Sequence, residues 1–108
     1  MGMRKMTKAT KISAAVKKAV HARDGGLCVI CKRPGDPVAH VVRRSQGGRG
    51  IEKNVVTLCP WCHRSFDEGR PEFRRHAYVT IVAHLKGFYP DWSREDMIYR
   101  KGDQKGFD

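Results

Sequence analysis

The sequence predicts a small α+β domain: a two-stranded hairpin followed by a helix, clamped by one four-cysteine metal site and covered by flanking helices. Three observations predict it. All four cysteines fall in two Cys-x-x-Cys pairs, Cys28/Cys31 and Cys59/Cys62, with 27 residues between the pairs. Two β-branched runs, residues 38–42 and 55–58, lie inside that insert on either side of a Gly-rich polar loop. Segments with apolar residues at helical spacing bracket the whole unit. At 108 residues the chain has the size of one domain with a modest core, for which a metal cross-link supplies missing stability.

The elements follow in chain order. Residues 1–10 are polar and basic and read as a frayed or DNA-following arm. Residues 11–23 read as a helix, because Ile12, Val16 and Val20 recur at i, i+4 and i+8 with Ala15 and Ala19 beside them; Lys11, Lys17 and Lys18 take the other face. Asp24-Gly25-Gly26 ends it. Cys28 to Cys31 forms a knuckle closed by Arg33-Pro34-Gly35. In the strand over 38–42, alternation puts His40 with Val38 and Val42 on one face, and Ala39 with Val41 on the other. Residues 43–53 form a loop containing Gly47, Gly48 and Gly50, and residues 55–58 return as the second strand. Cys59 and Pro60 open a helix that runs to about Glu68, where Gly69 caps it and Pro71 prevents its continuation. A longer helix over 72–86 carries Phe73, Ala77, Ile81 and Leu85 every four residues, with Phe88 extending the stripe. A turn at 88–92 leads to a last short helix through Met97 and Ile98, with Ser93 and Asp96 in a capping arrangement. The tail from Gly102 is polar. The expected organisation is therefore an arm (1–10), a single domain (11–101) with its hairpin-helix core at about 38–68, and a tail (102–108).

Charge points to the partner. The net charge is +11, and residues 1–63 hold 13 Lys/Arg against 3 Asp/Glu, whereas residues 64–108 hold 9 against 8. Four thiolates on one zinc ion would lower the total to about +9. The positive field sits on the half that carries the cysteines, and a polyanion, nucleic acid above all, is the expected partner. No apolar run approaches the roughly 20 residues that span a bilayer, and the basic start lacks the apolar core of a signal peptide. A reducing cytoplasm is the expected location, and there paired Cys-x-x-Cys motifs are metal sites more often than disulfides.

Two thiolate pairs, each biting the same ion, complete a tetrahedron; Cys28, Cys31, Cys59 and Cys62 are the expected ligands of a structural Zn²⁺. With four thiolates the site is closed, so chemistry falls to other residues. His40 has an imidazole that titrates near neutrality and can take a proton from water. His63 and Asp67 stand at i and i+4 on one helix, one turn apart on the same face, where a nitrogen and a carboxylate oxygen can hold one divalent ion with open positions for substrate. His63 capping the cage or replacing a cysteine ligand is the other reading. Arg43, Arg44, Arg49 and Arg64 are candidates for phosphate contact, the helix start at Pro60 and Trp61 offers its dipole to phosphate, and Trp61 is expected to shield the cage. His21, His76 and His84 are expected to have no chemical role.

The stretch from Ala39 to Asp67, with its Arg44-Ser45-Gln46-Gly47-Gly48 loop and its Leu58-Cys59-Pro60-Trp61-Cys62-His63 run, resembles the HNH endonuclease family, in particular small phage or prophage nucleases with a four-cysteine zinc site. The likeness covers residues 20–70 closely, and the Tyr89-Pro90-Asp91-Trp92 turn is also similar. It implies a ββα-metal (His-Me finger) fold, with His40, Asn54 and His63 as the signature residues: His40 the general base, His63 a ligand of a catalytic Mg²⁺, Mn²⁺, Ni²⁺ or Zn²⁺, and Asn54 the residue that fixes the loop carrying the base. It further implies DNA hydrolysis, nicking, 5′-phosphate and 3′-hydroxyl ends, and partners among phage packaging or DNA-processing proteins. This chain departs from the pattern at Ala39, where many relatives carry a metal-binding Asp or His; His63 and Asp67 are then the side-chain ligands in view, with Asn54 as a candidate third. The competing expectations are a zinc-stabilised DNA-binding module with weak or no catalysis, and a redox protein.

Overall fold

The computed structural model describes residues 8–100. Residues 1–7 of the basic arm, residue 101 at the end of the expected domain and the polar tail 102–108 lie outside the described residues. Residues 8–10 belong to no frayed arm: they are helical, and Thr10 is 2% exposed.

The first full helix, α1, spans Ala14–Arg23. It starts three residues later than the apolar spacing suggests because Ser13 caps it, its side chain accepting from the Val16 N–H at 3.2 Å. Ile12 therefore precedes the helix, and only Val20 is fully buried within it. The hairpin consists of β1, Asp36–His40, and β2, Val55–Leu58, paired antiparallel with Ala39 opposite Val56 and His40 opposite Val55. The register slips between Asp36 and Ala39. Pro37 sits in that irregularity, where a residue without an N–H removes no ladder bond. Relative to the expected span of 38–42, β1 begins and ends two residues earlier. Its alternation holds for Ala39, which is inside, and for Val38 and His40, which line a cleft; it fails beyond His40, where Val41 and Val42 are both buried.

Helix α2, Pro60–Glu68, lies at the bounds its proline and glycine indicate. Helix α3, Pro71–Phe88, is longer than expected at both ends, because Pro71 is its first residue as well as the block to α2. Ala77, Ile81 and Leu85 form its buried stripe and pack with Val41, Val42, Val56, Leu58, Phe66, Trp92 and Met97. Phe88 does not extend that stripe: it is 50% exposed, with its ring edge-on to His84 at 5.2 Å. The last turn, Arg94–Met97, is a 3-10 helix, and Ser93 makes no side-chain cap to it. No helix among the described residues is long and apolar enough to cross a membrane.

One buried ion cluster ties these elements together. The Asp24 carboxylate is fully buried and accepts from Arg23 at 2.8 and 3.0 Å, from the Thr57 N–H at 2.9 Å and from His84 at 2.7 Å. Burial alone would raise its pKa, but these donors overcome burial and hold it below the ordinary carboxylate value. Arg23 also reaches the carbonyls of Glu52 and Val55. His84 thus has a structural task that its sequence position did not announce.

Candidate active site and metal centre

The two Cys-x-x-Cys pairs come from different local structures that do the same job. In the knuckle, Lys32 takes a left-handed conformation (φ +69°), and the chain closes through Cys28 N–H to Arg33 O at 2.6 Å and Lys32 N–H to Cys28 O at 2.9 Å. This turns the Cys31 N–H toward Cys28 Sγ at 3.5 Å. In the second pair Cys59 is the N-cap of α2, and its Sγ accepts from the Cys62 N–H at 3.4 Å. The four sulfurs lie within 4.8 Å of one another, Cys31 and Cys59 at 3.6 Å, and no disulfide joins them. Four ligands ~2.3 Å from one zinc ion would stand ~3.8 Å apart, so the cluster fits one tetrahedral ion. As bare thiols the four compete: burial opposes ionisation of Cys28, yet backbone N–H donors bring it down to about 7, while burial and its neighbours push Cys62 far up. A divalent ion relieves that conflict by favouring all four thiolates.

His63 takes no part in that cluster. The start of α2 faces the cage, not a phosphate site, so its dipole acts on cysteine sulfur; neither Pro60 nor Trp61 lines the neighbouring cleft. Trp61 flanks the cage beside Arg33 but is 68% exposed, edge-on to Phe73 at 5.9 Å, and shields it only in part.

One turn beyond Cys59 the same helix delivers His63 and Asp67 to a cleft of about 550 Å³. Their side chains converge, with Nε2 and Oδ2 at 3.3 Å. Two bonds of ~2.1 Å to one cation, at roughly a right angle, place their donor atoms ~3 Å apart, so this pair suits two positions of an open divalent site. No second group of three or more ligating side chains converges among the described residues. Ala39 is fully buried in the core.

His40 enters the cleft from the end of β1. Its Nε2 lies 2.7 Å from the Thr10 carbonyl oxygen. A carbonyl can only accept, so Nε2 carries the proton and Nδ1 is the basic nitrogen of the neutral ring. Thr10 reaches this place because the chain before α1 packs on the Gly-rich loop: Gly50 N–H donates to Ala9 O at 3.0 Å, and a Cβ on Gly50 would stand 2.1 Å from Lys11 O. Burial lowers the His40 pKa below its ordinary 6.5, and the charges of Arg44 and His63 act the same way; the Thr10 bond and Asp67 oppose them without winning.

Asn54 does not line the cleft. It is fully buried, and its amide replaces a missing length of strand. Oδ1 accepts from Val42 N–H at 2.9 Å, while Nδ2 donates to Val42 O at 3.2 Å and Arg49 O at 2.8 Å. Beyond His40 one backbone bond remains, Val41 N–H to Asn54 O at 2.9 Å, and at Val42 the side-chain amide takes over the pairing. The amide is spent on the loop, so Asn54 cannot serve as the third cation ligand. Asn54→Ala should cost about 3–5 kcal/mol by leaving buried peptide groups unpaired; a denaturant titration with stability within 1 kcal/mol of the parent (about one unpaired group) would contradict this.

Among the arginines, Arg43 and Arg44 line the cleft. Arg43 also donates to Asp67 O at 2.6 Å, and Arg44 to Thr10 Oγ1 at 3.2 Å. Arg49 and Arg64 are not part of its lining; the Arg49 backbone joins Met97 and Asn54, and Arg64 is exposed on α2. Lys11, Ile12, Lys17 and Ser45 also line the cleft, and the sequence did not single out these two lysines as site residues. Among the described residues the cleft thus sets four cationic side chains against one carboxylate.

Residues 28–66 match the family model described as HNH endonuclease. That segment, which holds both cysteine pairs and the hairpin, is similar to an HNH endonuclease domain. The HNH match begins at Cys28, contains His40, Asn54 and His63, and stops one residue short of Asp67. No curated protein matches the chain. Thr10, Lys11 and Lys17 reach the cleft from outside the matched segment.

Proposed function

We propose that the protein is a divalent-metal-dependent HNH endonuclease that hydrolyses DNA phosphodiester bonds, one strand at a time, to 5′-phosphate and 3′-hydroxyl ends. One observation carries the proposal: His40 and the His63–Asp67 pair face a single cationic cleft. Lys11, Lys17, Arg43 and Arg44 would draw and seat the phosphate backbone. His40 Nδ1 would take a proton from water as the oxygen attacks phosphorus; the P–O3′ bond breaks, and the departing O3′ takes a proton from solvent water to become the 3′-hydroxyl. A divalent cation on His63 and Asp67 would supply stabilisation of charge on the phosphoryl and departing oxygens. Zn²⁺ on the four cysteines would be structural. Action on phage or host DNA in the cytoplasm belongs to the same proposal and rests on the resemblance of the His40 to Asp67 segment.

The test is a supercoiled-plasmid assay with Mg²⁺, Mn²⁺ or Ni²⁺ against an EDTA control. Nicked circles should accumulate before linear product, and DNA ligase should reseal them. Ala39 gives a specific reason to consider a zinc-stabilised DNA-binding module with weak or no catalysis; DNA binding without metal-dependent nicking would establish that alternative.

The pH profile gives a second test. A general base must be neutral, and burial lowers the His40 pKa, so the acid limb of kcat/KM should have its midpoint below 6.5. Arg44→Gln removes a cation that opposes protonation and should move that midpoint upward. A midpoint above 6.5 in the parent protein would count against His40 as the base.

A further inference from the structure

On the far side of Arg43 the molecule has a second groove, of about 450 Å³, built by α3, the loop after β1 and the segment at Arg94. Arg43, Arg74, Arg75 and Arg94 line it over a floor that includes Phe66 and Tyr78. Among the described residues no carboxylate lines it; Glu72, on the same turn of α3, is exposed outside the lining. Arg94 donates to Gln46 Oε1 at 3.3 Å, a neutral partner. Arg43 lines both this groove and the His40 cleft, so the two are continuous in charge.

Four guanidinium groups without an acid among them are suited to phosphate oxygens, which they bind through paired N–H donors. A purely solvated basic face would not need a concave wall, nor would it adjoin the cleft through a shared arginine. We propose that this groove is a second phosphate-binding site, holding the DNA backbone as it leaves the cleft past Arg43. The duplex would then be gripped on both sides of α2, and the footprint would extend well beyond the nucleotide that is cut. This rests on the nuclease assignment of the cleft for its choice of DNA as the ligand.

The experiment compares the double variant Arg74→Gln/Arg75→Gln with its parent. Binding is measured by anisotropy in a His40→Ala background, so that the probes stay intact, on fluorescent duplexes of 24 and 8 base pairs over a salt series. On the long duplex the pair should weaken binding about tenfold and make the slope of log K against log salt shallower by about 1.8, since each lost phosphate contact contributes about 0.9. The short duplex should bind as before. With His40 intact, kcat on saturating plasmid should hold while KM rises. Unchanged affinity and slope on the long duplex would overturn the proposal. So would equal losses on both lengths, which would make the pair part of the cleft, or loss confined to poly-glutamate, which would make the groove a site for acidic protein. Zinc content and far-UV circular dichroism confirm that the double variant is folded. Plasmid nicking by the parent is scored separately: a salt-slope change with no nicking would uphold the groove and remove the nuclease assignment.

Discussion

His40→Ala should slow DNA cleavage by about 10²–10⁴ while the dissociation constant for DNA stays within about twofold. The size follows from what a positioned base contributes, and the split between rate and affinity follows from placement. His40 lies at the end of β1 with its Nε2 already engaged by Thr10, so truncation removes the Nδ1 lone pair and leaves the cationic wall of Lys11, Lys17, Arg43 and Arg44 in place. The half-exposed ring supports no core packing. Exogenous imidazole should restore part of the lost rate, which would distinguish a missing base from a disturbed cleft. Cleavage at the parental rate by a preparation free of host nucleases would show that another group activates water.

Cys59→Ser should abolish the folded state, and chelation of the structural ion should do the same. Cys59 holds three positions at once: one of four metal ligands, the N-cap of α2, and a core residue 6% exposed. Binding at such sites is worth on the order of 10 kcal/mol, comparable with the roughly 5–15 kcal/mol that holds a whole domain together. The hairpin is only two strands, too little to stand alone without the knuckle and α2 packed on it. The parent should contain one tightly held zinc per chain by elemental analysis, and Cys59→Ser should show a random-coil far-UV spectrum. A metal-free protein that kept its helical signal and cooperative melting would show that packing suffices.

Elements marked by covalent or turn chemistry were legible in the sequence. The cysteine spacing indicated the cage, and the proline and glycine around α2 marked both its ends. Elements whose limits depend on distant partners were not. Beyond His40 the pairing passes at Val42 to an amide twelve positions later, and alternation of valines cannot announce that. Ile12 continues the apolar spacing of α1, but Ser13 caps the helix after it. Phe88 fits the α3 stripe by number, yet it lies at the last residue of the helix, beyond the core. At the site, His40 and the i, i+4 pair of His63 and Asp67 could be read from chemistry and spacing. Lys11, Lys17 and the Thr10 carbonyl could not, since only the packing of the preceding chain against the hairpin and the Gly-rich loop brings them there.

That last contact limits how far the finger can be shortened. A peptide cut to residues 28–66 would keep the signature side chains and all four sulfurs, yet its imidazole would lose the acceptor that selects one tautomer over the other. Unclamped, the ring would be able to rotate and exchange its two nitrogens. Under the proposed function the smallest active unit must therefore include Thr10 as well as the matched segment, and trimming past Thr10 would be an intervention in proton transfer.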